Sequence, residues 1–190
     1  MAKIKICGLK RLEDIDYVNR LKPDYIGFIL TDGFKRSITV NQARLFKSRL
    51  DKSIRAVGVF VNDDIEKINA LVRDGVIDLV QLHGQETPEY CRKINAPVIK
   101  YFNPDIFDSI KNYDTDYFLF DSGTGTGKAF DWGIIPKTDR PFFLAGGINS
   151  QNIKQAIGAV NPYCIDVSSA AETDGVKDYN KIKQIMESMK

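Results

Sequence analysis

Short runs of apolar, β-branched and aromatic residues recur along the whole chain, with amphipathic stretches between them. The runs are Ile4–Cys7, Tyr25–Leu30, Ala56–Val61, Leu79–Leu82, Val98–Phe102, Tyr117–Phe120, Phe142–Ala145 and Cys164–Val167. Each is four to six residues long and nearly all apolar. Strict alternation is missing, so the pattern predicts parallel strands buried on both faces rather than a half-solvated antiparallel sheet.

The stretches between them carry helix signals. Leu12, Ile15, Val18 and Leu21 recur every three to four residues. Thr39 is placed to cap a helix through Leu45 and Phe46, and Asp63 or Asp64 one through Ile65, Ile68 and Leu71. Thr87 precedes a first-turn Pro88, and Ser150 opens a helix through Ile153, Ala156 and Ile157. A last helix, from about Asp178 to Met189, places Ile182, Ile185 and Met186 on one stripe. These are ordinary capping and amphipathic patterns. Two connections are predicted to be vestigial: Pro104–Lys111 is short, and Trp132–Pro136 is stopped by its proline.

Eight strand–helix units predict an α/β chain folded as one (β/α)8 barrel over residues 1–190. At about 24 residues per unit, it lies near the lower limit for that architecture. A doubly wound open sheet gives the same alternation, but usually with five or six strands. Its glycine-rich loop after the first strand is absent, since Cys7-Gly8-Leu9-Lys10 holds one glycine.

Composition narrows the partners. With 43% apolar and 27% charged residues, 190 residues suit one globular domain with a continuous core. The formal net charge is +2 and the basic residues are scattered, so no nucleic-acid footprint is expected. No apolar run approaches the roughly 20 residues of a membrane span. Cys7, Cys91 and Cys164 are odd in number and widely spaced, unlike a disulfide framework or a metal knuckle. A reducing cytoplasm is the simplest compartment.

Candidate chemistry lies at the C-terminal ends of the predicted strands. Gly146-Gly147 follows strand seven and Ser168-Ser169 follows strand eight. In barrels these two loops often hold a phosphate: glycines admit backbone N–H groups close to an anion, and serines add hydroxyl donors. The plainer reading of the glycine pair is a tight turn. Ser122–Lys128 carries three glycines but lacks the spacing of a nucleotide-binding loop, and reads as a flap over the site.

Titratable residues converge on the same face. Cys7 ends strand one and Asp121 ends strand six. Arg36 lies in the loop after strand two. His83 follows strand four, with Gln81 two residues earlier, and both are possible pocket residues. A thiol and a carboxyl on opposite sides of one pocket can serve as base and acid. Core filler for Cys7, a loop brace for Asp121, packing for His83 and a solvated loop for Arg36 are the alternatives, and the residues alone leave them open.

Lys5-Ile6-Cys7-Gly8, Gly27-Phe28, Val57–Asn62 and Val80-Gln81-Leu82-His83-Gly84 follow one another in order. Phe120-Asp121, Gly125–Trp132, Leu144–Asn149 and Asp166-Val167-Ser168-Ser169 complete the series. Together they closely resemble the phosphoribosylanthranilate isomerase family of tryptophan biosynthesis, over nearly the whole chain. The resemblance implies a cofactor-free, metal-free Amadori rearrangement of a small phosphorylated substrate. It implies Asp121 as general acid, Cys7 as general base, Arg36 at the substrate carboxylate, and Gly146, Gly147, Ser168 and Ser169 at its phosphate. A free cysteine titrates near about 8.5, so a modest local depression would suffice for a base near neutrality. Asp121 must carry a proton when substrate binds. The histidine-pathway isomerase performs the same rearrangement with two aspartates, one of them where this chain has Cys7. A silent phosphate binder would have no need of both Cys7 and Asp121.

Three departures from the family's pattern stand out. The loop between Asp121 and Phe130 is short. Gly33-Phe34-Lys35-Arg36 lacks the serine often found two residues before the arginine. Ala170 stands where a glycine is common after the serine pair, and alanine tolerates fewer conformations.

Overall fold

The computed structural model describes residues 2–121 and 131–190. Eight parallel strands close into a barrel in sequence order: β1 (Lys3–Cys7), β2 (Tyr25–Ile29), β3 (Arg55–Phe60), β4 (Leu79–Leu82), β5 (Val98–Phe102), β6 (Tyr117–Phe120), β7 (Phe142–Leu144) and β8 (Cys164–Val167). Every strand run expected from the sequence is present, with its ends displaced by at most one residue. Closure comes from β1 pairing with β8, which sets Lys5 opposite Asp166.

Side chains alternate between the two faces of a strand. The outward set, including Ile4, Ile6, Ile26, Phe28, Val80 and Leu82, packs into one core with the helices. The inward set, including Tyr25, Val57, Leu79, Ile99, Leu119, Phe143 and Cys164, forms a second core inside the barrel. Two apolar faces explain why the strands read as continuous apolar runs.

Helices α1 (Leu12–Leu21), α2 (Val40–Arg49), α3 (Ile65–Arg73), α4 (Pro88–Cys91), α5 (Ile153–Val160) and α6 (Tyr179–Glu187) surround the barrel. Thr39, Asp64 and Thr87 cap α2, α3 and α4 through their side chains, as their positions predict, and Asp178, expected as the start of the last helix, caps α6. The two vestigial connections are 3-10 turns at Pro104–Asn112 and Trp132–Ile134. Ser150 does not open α5: the N-cap is Asn152. The Asn149 side-chain carbonyl accepts from the N–H groups of Gln151 and Asn152, a turn that holds Ser150 and Gln151 outside the helix.

One element escaped the hydrophobic pattern. After β8 a 3-10 turn (Ser169–Ala171) leads into a small antiparallel ribbon of β9 (Glu172–Thr173) and β10 (Val176–Lys177). Its turn is Asp174-Gly175, both with positive φ, the backbone a two-residue hairpin requires. The strands are too short to show periodicity, but the Asp-Gly pair was the available signal.

Candidate active site

A cavity of about 380 Å³ opens at the C-terminal end of the barrel. Cys7, Arg36, Gln81, His83, Asp121, Gly146, Gly147, Ser168 and Ser169 all line it, so every site residue expected from the sequence meets in one place. Alternation accounts for the convergence. Lys5 and Cys7 on β1, Gln81 and His83 at β4, and Asp166 and Ser168 at β8 are inward positions two residues apart, one layer above the next.

Cys7 is buried, and its thiol lies beside Gly27 in the neighbouring strand. A Cβ on Gly27 would stand 2.7 Å from Sγ, so glycine leaves the thiol its space. Burial pushes the thiol above its ordinary value, which reverses the depression expected from the sequence. The Lys5 and Lys177 ammonium groups pull the other way, and the Asp166 carboxylate adds to the rise. Asp121 follows β6, three strands from β1 by way of β7 and β8. Its N–H donates to the Phe102 carbonyl at 3.2 Å, continuing the sheet by one residue to the cavity rim.

Arg36 is already engaged. Its Nε and one terminal nitrogen donate to the two carboxylate oxygens of Glu172 at 2.6 and 2.9 Å. That fork uses two of the five guanidinium N–H groups and leaves three by count for a ligand. Gly8, at φ +82°, lies against the arginine stem, and a Cβ there would come within 2.5 Å of Cδ. Glu172 also accepts from Lys177, its cross-strand partner in the ribbon, at 2.6 Å. Burial disfavours the Glu172 carboxylate, but hydrogen bonds from Arg36 and Lys177 outweigh it and hold the group at about 2.

Gly146 and Gly147 both adopt positive φ, at 83° and 68°, where an L side chain is strained. Asn152 Nδ2 donates to the Gly147 carbonyl at 2.9 Å, which fixes that peptide. Across the rim, the Ser168 hydroxyl donates to the Cys7 carbonyl at 3.2 Å. Ala170 is not among the positive-φ residues, so alanine fits where the family commonly has glycine.

Gln81 and His83 form a chain with Lys5. Lys5 Nζ donates to Gln81 Oε1 at 2.8 Å, and Gln81 Nε2 lies 3.0 Å from His83 Nδ1. An ammonium has no acceptor, so the Gln81 oxygen must face Lys5 and its NH2 group must donate to His83. Nδ1 is therefore the acceptor and the ring proton sits on Nε2. Burial lowers His83 to about 4, and its neutral ring stacks on Tyr101 at 4.0 Å.

Sequence reasoning passed over Lys5, Asp166, Glu172 and Lys177. The first two did leave a mark: a charged residue at an inward position of an otherwise apolar strand is uncommon without a partner. The expected flap at Ser122–Lys128, and Phe130 with it, lie outside the described residues.

A family model described as PRAI, N-(5'-phosphoribosyl)anthranilate (PRA) isomerase, matches residues 4–188. The chain belongs to this family. The phosphoribosylanthranilate isomerase of Endomicrobium trichonymphae is 50% identical over 193 aligned positions, covering 96% of this chain and 95% of that protein. That of Thermoanaerobacter sp. (strain X514) is 41% identical, covering 100% and 98%. Among solved structures, the phosphoribosylanthranilate isomerase from Thermotoga maritima superposes with a TM-score of 0.89 at 35% identity, over 99% of this chain and 98% of that one. A structure of phosphoribosyl anthranilate isomerase in complex with reduced 1-(O-carboxyphenylamino)-1-deoxyribulose 5-phosphate superposes with a TM-score of 0.87 at 34% identity over the same shares. The chain is thus an isomerase of tryptophan biosynthesis acting on N-(5'-phosphoribosyl)anthranilate. Among the described residues, no helix is long and apolar enough to cross a membrane.

Proposed function

We propose that the isomerisation proceeds as an Amadori rearrangement with Asp121 as general acid and Cys7 as general base. Asp121 gives its proton to the furanose ring oxygen, the bond from C1' to that oxygen breaks, and the sugar opens to an iminium. The Cys7 thiolate then removes the proton from C2', leaving an enolamine that tautomerises to the ketone, 1-(2-carboxyphenylamino)-1-deoxyribulose 5-phosphate. The iminium's positive charge acidifies the C2' proton, so a base of thiolate strength suffices.

The observation that carries this reading is the shared cavity. A thiol on β1 and a carboxyl after β6, three strands apart around the barrel, face the same 380 Å³ space, a size suited to a small ligand. The ends of the substrate have counterparts at the rim. Backbone N–H groups at Gly146-Gly147 and Ser168-Ser169 suit the phosphate, and the guanidinium edge that Arg36 does not give to Glu172 suits the anthranilate carboxylate. The solved relative with its bound deoxyribulose phosphate supports a ligand of this shape in such a barrel.

Loss of phosphoribosylanthranilate fluorescence on adding the purified protein tests the assignment. Cys7→Ser and Asp121→Asn should each lower kcat by about 100-fold or more with little change in KM. A loss confined to KM would make them binding groups rather than reacting ones.

A further inference from the structure

Lys5 stands two residues before Cys7 on β1, so both side chains enter the barrel. It is fully buried, at 0% exposure. An ammonium stripped of its water is tolerated only where its N–H groups find acceptors, and an apolar residue of similar length would usually fill such a space at lower cost. Packing therefore does not account for the charge. Of its three N–H groups, one goes to Asp166 Oδ2 at 2.6 Å and one to Gln81 Oε1 at 2.8 Å. The Cys7 thiol is the next inward side chain on the same strand, within the electrostatic reach of the ammonium. A neutral thiol gains little from that neighbour, and a thiolate gains much.

Three other charges face the thiol. Lys177 on β10 and Arg36 after β2 share Glu172 as a counter-ion, which offsets their pull. Asp166 on β8 opposes thiolate formation, while holding Lys5 charged against the effect of burial. Of these charges only Lys5 stands on the same strand as the thiol, one inward position before it.

We propose that Lys5 is the positioning residue for the base: its buried ammonium, oriented by Asp166 and Gln81, stabilises the Cys7 thiolate once the thiol proton has left to solvent through the cavity mouth. The proposal rests on the reading of Cys7 as the base, and its test is kept separate from turnover. Iodoacetamide alkylation of Cys7 in the full chain, followed against pH by mass spectrometry of the Cys7 peptide, reads the thiolate directly. Lys5→Met should raise the alkylation midpoint by about one pH unit or more, which slows alkylation near neutrality about tenfold. Lys5→Arg, which keeps the charge, should stay near the native midpoint. The acid-side limb of kcat/KM should move upward with the Met variant. An unchanged midpoint in Lys5→Met overturns the proposal. Should that variant fail to fold, Lys5→Gln decides: its amide can still donate to Asp166 but carries no charge, so the midpoint must rise, and no change or a fall overturns the proposal. Activity retained in Cys7→Ser would remove the base reading, yet the effect of Lys5 on the thiol would still be measured.

Discussion

At Gly8 and Gly27 what matters is an atom that is missing. Gly8 leaves room for the Arg36 stem, and Gly27 leaves room for the Cys7 thiol. A methyl group at Gly8 meets Cδ of Arg36 at 2.5 Å and also sits at positive φ, so the guanidinium has to shift. Gly8→Ala should therefore raise KM by about tenfold, what the loss of about 1.5 kcal/mol of charged hydrogen bonding gives. Steady-state kinetics separate this from damage to the chemistry, because an unchanged KM with a reduced kcat would contradict it. The lysine at position 5 belongs to the same scale: one side chain, buried among named partners, sets the electrostatics of its neighbour.

Between elements, the loops after β3 and β4 hang on a single buried carboxylate. Glu86 accepts from the backbone N–H groups of Asn62 and Gly84, and from Lys100 Nζ at 2.8 Å. Lys100 in turn donates to the Gly84 carbonyl at 2.7 Å. This cluster anchors the chain immediately after His83. Removing one member of a buried ion pair strands the other charge, at a cost of about 3–5 kcal/mol. Glu86→Ala should lose about that much in urea unfolding, and a loss below about 1 kcal/mol would mean that Lys100 escapes to water. The β9–β10 ribbon plays a comparable part on the opposite side of the mouth, setting Glu172 and Lys177 side by side beneath Arg36.

For the molecule as a whole, these buried groups tie stability to pH. Burial holds His83 at about 4, below the ordinary 6.5. As pH falls from 6.5 toward 4 the unfolded chain takes up a proton that the fold refuses, so stability declines across that window. Glu172, held at about 2 against an ordinary 4.5, adds stability above 4.5 that is lost as pH falls toward 2. Tm should thus fall in two stages on acidification. His83→Asn should flatten the upper stage and Glu172→Gln the lower one. A native Tm that stays level between pH 6.5 and 4 would refute the first assignment.

The strands, three of the side-chain caps and the two shortened connections were legible in the sequence. They depend on alternation, capping hydrogen bonds and proline sterics acting over a few residues. The strand-end positions of Cys7, Asp121 and His83 were legible for the same reason, since a barrel directs its strand ends to one mouth. Which charges meet there was not legible. Lys5 lies 161 positions from Asp166, and Arg36 lies 136 from Glu172. No local pattern links such partners. Only barrel closure, pairing β1 with β8, and the fold-back of the short ribbon bring them together, and those contacts decide the charge around the thiol and the edge that Arg36 leaves exposed to a ligand.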